Sequence, residues 1–170
     1  MAASRAVGTW LLGLVLLALL SVGVATRNQR GGVRATLVAL TAFTEQPLGN
    51  PWTPHAADAH AASGLRMLAD AIAATAPSSP DQVETVRTLA RALDVAPPGL
   101  VDADIAHDAF DRVGHVLSVL QTDRAPELAD AAAAVRAAAD SVSASRPLNE
   151  QRRAVVTFFV RSRDLLVSVQ

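Results

Sequence analysis

Hydrophobic positions along this chain of 170 residues follow three successive patterns. From Ala6 to Ala25 the run AVGTWLLGLVLLALLSVGVA carries no charge. About 20 such residues is the length that crosses a ~30 Å hydrocarbon core. From Thr26 to Pro54 the pattern breaks up. A Gly-Gly pair (Gly31, Gly32) precedes Val33 to Phe43, readable as a short strand or a helical continuation. PLGNPWTP follows, and its Pro47, Pro51 and Pro54 cannot sit inside a helix. From His55 to the end, apolar residues recur at three- and four-residue intervals, the spacing of one helix face.

That spacing predicts five helices. The first runs from near Ala56 to Thr75 on a stripe of Leu65, Leu68, Ala69 and Ile72, with Gly64 weakening it by up to ~1 kcal/mol relative to alanine. The second opens on Ser79-Pro80-Asp81-Gln82, a serine cap with proline at the first helical position and glutamine at the third. Val83, Val86, Ala90 and Leu93 form its stripe, and Pro97, Pro98 and Gly99 end it. The third follows Asp102 and buries Ile105, Ala109, Val113, Val116 and Leu120. The fourth begins near Thr122 or Asp123, takes Pro126 into its first turn, and buries Leu128, Ala131, Val135, Ala138 and Val142. The fifth starts near Pro147 and carries Leu148, Val155, Phe159, Leu166 and Val169. Its segment Val155 to Val160 is β-branched and aromatic, so a strand is the local alternative. The spacing of Arg152, Arg153, Arg161 and Asp164 favours a helix.

Helices of this length on short links pack as an up-and-down bundle. The expected fold is all-α, a bundle of four to five helices preceded by one N-terminal transmembrane or signal helix. The expected domains are 1–25, a signal peptide or single anchor; 26–54, a Pro/Gly-containing connector; and 55–170, the bundle. Phe110, Phe158 and Phe159 are its few bulky fillers. Trp52 is expected to lie over the bundle as a lid. Asp108 with Arg112 and Glu84 with Arg87 are expected ion pairs of the solvated faces.

Composition agrees. About one residue in five is alanine and only 4% are aromatic, which disfavours a β-sandwich or barrel. Cysteine is absent, excluding disulfides, thiolate metal sites and covalent haem attachment. Basic and acidic residues nearly cancel, 15 against 16, so there is no basic surface for nucleic acid. The basic residues are all arginine, which excludes lysine chemistry. No GxSxG, HExxH, GxxxxGK[ST] or strand-borne GxGxxG occurs. The sequence therefore names no catalytic residue and no cofactor, and an enzyme is not expected.

One stripe gathers ligand-capable side chains. On the third predicted helix His107, Asp111 and His115 stand at i, i+4 and i+8, and imidazole with carboxylate suits a divalent metal such as Zn or Cu. His55, His60 and Met67 could add ligands from the first predicted helix. Two histidines on one helix do not fill a tetrahedral site, and His107 and His115 are about 80° apart around it. A solvated face is the plain alternative.

The C-terminal stretch VLSVLQTDRAPELADAAAAVRAAADSV followed by LNEQRRAVVTFFVRSRDLLVSV resembles an uncharacterised bacterial helical domain of periplasmic proteins, some of them copper-efflux adaptor subunits. Leu120, Asp123, the alanines from Ala129 to Ala139, Arg153, Phe159, Ser162 and Leu165 carry the resemblance. It implies a periplasmic, non-catalytic domain with a link to metal, and transfers no site residues. The expected function is a protein-interaction or scaffold module in the bacterial cell envelope. The chain would be tethered to the membrane through the apolar segment, on the periplasmic side of the inner membrane, or secreted to the periplasm. An envelope protein is the expected partner. The alternative is a periplasmic metal- or small-ligand-binding bundle.

Overall fold

The structure is a computed structural model that describes residues 31–46, 53–76, 80–95, 103–143 and 145–170, except the side chains of 54, 55, 94, 95 and 103–107. The expectations for the apolar segment Ala6–Ala25, for Trp52 and for the Ser79 cap lie outside these residues. Two compact units are distinguished, Met1–Ala35 and Thr36–Gln170. Of the first, only the helical residues 31–35 are described. Among the described residues no helix is long and apolar enough to cross a membrane, and none forms a strand.

The fold is all-α. Helix α1 covers 31–45. It is followed by α2 (Pro54–Thr75), α3 (Pro80–Val95), α4 (Ala103–Arg124), a single 3-10 turn (Pro126–Leu128), α5 (Ala129–Asp140) and α6 (Leu148–Ser168). Each of α2 to α6 packs against the next in chain order, and α6 returns to pack on α2. Helical continuation is thus what Val33–Phe43 forms. Leu37, Leu40 and Phe43, three residues apart along one face, are all buried, so the compact unit starts well before His55.

Local chemistry explains the helix ends. The Thr53 hydroxyl accepts the Ala56 amide, and Pro54 occupies the first helical position of α2, where no amide is needed. The end of α4 corrects the expected start of the fourth helix. Thr122 and Asp123 belong to the last turn of α4. The break falls at Ala125, with φ −148° and ψ 67°, because a residue before proline is driven out of the helical region. Gln121 closes that end: its side-chain amide donates to the Ala125 carbonyl at 2.8 Å, while the Ala125 amide donates to the Gln121 carbonyl. After the 3-10 turn the inward set of α5 is Ala132, Val135, Ala138 and Ala139, with Val142 beyond it. Leu128 and Ala131 are only half-buried.

In α6 tertiary packing overrides the local strand propensity of Val155–Val160. Val155, Phe158, Phe159, Leu165 and Leu166 are buried, whereas Leu148 at its start is exposed. The ion pairs divide. Asp108 and Arg112 approach to 4.0 Å, but Glu84 and Arg87 find other partners. Arg87 reaches across to Asp70 of α2 at 2.9 Å, and Glu84 pairs with Arg91, two turns along α3. All are exposed, so each contributes about 0.2–1 kcal/mol at most.

Candidate functional site

The expected metal stripe lies on α4. Asp111 and His115 are both exposed there, and the His107 side chain is outside the described residues. Among the described residues no group of three or more His, Asp or Glu side chains converges. Met67 is half-buried on α2. His60, the described histidine offered as a supporting ligand, stacks on Phe43 at 4.4 Å between ring centroids, with planes 17° apart.

That stack belongs to a larger assembly that the sequence reading did not anticipate. All four phenylalanines of the chain gather in one cluster with His60. Phe159 of α6 is its centre. Its edge-to-face neighbours are Phe43 at 5.5 Å, His60 at 6.1 Å, Phe158 at 5.4 Å and Phe110 of α4 at 5.9 Å. Perpendicular rings set the positive edge of one against the negative face of the next, worth about 0.5–1.5 kcal/mol per pair beyond the buried area. Gly64 makes room for this centre. A Cβ there would overlap the tip of the Phe159 ring, so the absent side chain is a notch in α2 that the ring fills. Burial pushes the His60 imidazole below its ordinary pKa, which favours the neutral ring.

One flank of the cluster opens into a partly enclosed cavity of about 250 Å³. The end of α1 and the turn after it supply Phe43, Thr44 and Gln46; α2 supplies His60; α6 supplies Arg152, Val156 and Phe159. The α1 side is held in place by hydrogen bonds. The Thr44 hydroxyl donates to the Thr41 carbonyl at 2.9 Å and accepts from Arg163 of α6 at 2.7 Å, and the Gln46 amide donates to the Phe43 carbonyl. Among the described residues the lining holds one guanidinium, one imidazole and no carboxylate. Such a site can hold a small apolar body. One imidazole alone is no metal centre.

Sequence spacing missed this site because its walls come from positions far apart in the chain. The only available signal was the placement of Phe43 on a helical face with Leu37 and Leu40. Comparison with protein-family models, with curated proteins and with solved structures found no match to this chain.

Proposed function

We propose that the chain is a non-catalytic helical-bundle module, membrane-tethered or exported, that serves as a protein-interaction or scaffold unit in the bacterial cell envelope. The observation that carries this reading is the order of parts. An uncharged run of membrane-spanning length, Ala6–Ala25, precedes a bundle whose compact unit begins at Thr36 and is closed around its own apolar core. The resemblance of the C-terminal stretch to a periplasmic helical domain supports the same placement. Alkaline phosphatase fused after Gln170 should be active in a Gram-negative host, and a cytoplasm-only reporter at the same position silent. The reverse pair of results would put the bundle in the cytoplasm and overturn the proposal. Pull-down from membranes with mass spectrometry then identifies the partner.

A second reading, a metal- or small-ligand-binding bundle, is favoured in its ligand form by the aromatic cavity. Its metal form rests on His107, Asp111 and His115. Calorimetry with Cu²⁺ and Zn²⁺ tests that form, since specific binding there must be lost in His115→Ala.

A further inference from the structure

We infer that the cavity between the end of α1, α2 and α6 is a binding site for a small uncharged monocyclic aromatic compound, of the benzyl alcohol type. The inference rests on the ligand-binding reading above and names the ligand class of that site.

Size sets the first limit. An apolar cavity of about 150 Å³ accommodates a benzene ring. The cavity here, about 250 Å³, has room for one ring with a short substituent. It is smaller than the roughly 300–1,000 Å³ of pockets that take drug-sized ligands. Ring geometry sets the second. Phe43 and Phe159 both line the cavity, together with Val156. Their planes stand at 89°, with centroids 5.5 Å apart. A flat ring lying parallel to either one is therefore edge-on to the other. It meets one wall in offset stacking and the other edge to face, the two arrangements that aromatic pairs prefer. A puckered saturated ring has no π-face to offer either wall. Polarity sets the third. The polar groups of the lining are already engaged within the chain. The Thr44 hydroxyl donates to Thr41 and accepts from Arg163, and His60 and Arg152 each interact with other parts of the chain. A charged ligand loses hydration on entering between the rings, which is costly unless a partner compensates it. An uncharged ring meets no such cost. The cavity is only partly enclosed, so a short polar substituent can stay at its mouth, in water.

The test titrates the full chain in mild detergent with benzyl alcohol, its saturated analogue cyclohexylmethanol, and the charged analogues sodium benzoate and benzylammonium chloride. The ring signals of Phe43 and Phe159 are followed by NMR. Benzyl alcohol should shift both saturably, with a Kd of about millimolar or below. Cyclohexylmethanol should bind about three- to tenfold more weakly, the worth of the lost ring–ring contacts. Each charged analogue should bind about tenfold or more weakly. Val156→Phe should fill the space and abolish binding, while unchanged signals from α4 show that the bundle stays folded. In the same detergent this variant also separates binding from partition into micelles. Phe43→Leu, followed at Phe159, keeps an apolar wall without its ring and should lower the preference for benzyl alcohol over cyclohexylmethanol about twofold or more. If cyclohexylmethanol binds the parent chain as tightly as benzyl alcohol, or if Phe43→Leu leaves the preference undiminished, the aromatic assignment is overturned. If either charged analogue binds more tightly than benzyl alcohol, the uncharged assignment is overturned. If none of the four compounds moves the two rings' signals, or if Val156→Phe leaves the shifts intact, the cavity is not a site and the ligand-binding reading fails with it.

Discussion

Two helix junctions in this bundle each use a glycine, and they use it in opposite ways. At the α2–α6 junction Gly64 faces the tip of Phe159, and there is no space for even one carbon. At the α4–α5 junction a Cβ on Gly114 would come to 3.5 Å from the Ala139 Cβ and 3.8 Å from Arg136, ordinary contact distances. The first junction is built from a large ring locked into a notch. The second is built from small side chains that already let the two backbones approach. Glycine is required in one and only tolerated in the other, which residue identity alone does not reveal.

The comparison can be broken from either side. The largest effect is expected at the small-residue junction. Val135 of α5 is fully buried, and Val135→Asp places an unpaired charge in the core, so stability should fall by several kcal/mol. An unchanged melting temperature would mean that α5 turns another face inward. Gly64→Ala comes next, at about 1–3 kcal/mol destabilising, because Phe159 is held among four other rings and any shift breaks its edge-to-face contacts. Gly64→Ala combined with Phe159→Leu should lose less than the sum of the single changes. Simple additivity in that double-mutant cycle would refute the notch.

Gly114→Ala should have the opposite sign. The added methyl fits and a mid-helix glycine is removed, so stability should rise by about 0.5–1 kcal/mol; a loss in denaturant midpoint would show that the α4–α5 approach is tighter than the geometry indicates. The smallest effect is a pH dependence confined to the aromatic junction. His60 in the folded chain has a pKa below its unfolded value of 6.5. Stability is therefore complete above about pH 6.5, where both states are neutral. It falls as pH drops below that, because the unfolded chain takes up the proton first, and it levels off below the folded pKa. Urea midpoints at pH 7.5 and 5 (roughly the two sides of this window) should differ less in His60→Gln than in the parent chain, whereas Val135→Ala should keep the parent's difference.

The five helices from α2 to α6 and most of the core were legible in the sequence because both depend on periodicity. Val83, Val86, Ala90 and Leu93 on α3, and Val113, Val116 and Leu120 on α4, are buried as their spacing predicts. Boundaries were less legible. The pattern of α4 runs into that of α5, and only the exclusion of Ala125 from helical geometry by Pro126 separates them. The aromatic cavity was not legible at all, since Phe43 stands in a stretch read as connector and His60 carried a ligand's chemistry without a visible neighbour. Gly64, read locally as a weak point, shows the same gap: its value depends on a residue 95 positions away, the separation between 64 and 159.

The hydrogen bond from Arg163 to Thr44 joins residues 119 positions apart, and this bears on the order in which the bundle assembles. The α4–α5 pair closes over one short turn and can form early, whereas docking α1 beside α6 requires nearly the whole chain to be in place, since long loops are entropically costly to close. Part of the cavity wall is thus a late-forming element. By the same reasoning α1 is the first helix to detach in sub-global opening. Native-state hydrogen exchange should find the amides of 37–44 less protected than those of α4, and the cavity should open and close with that helix while the rest of the bundle stays folded.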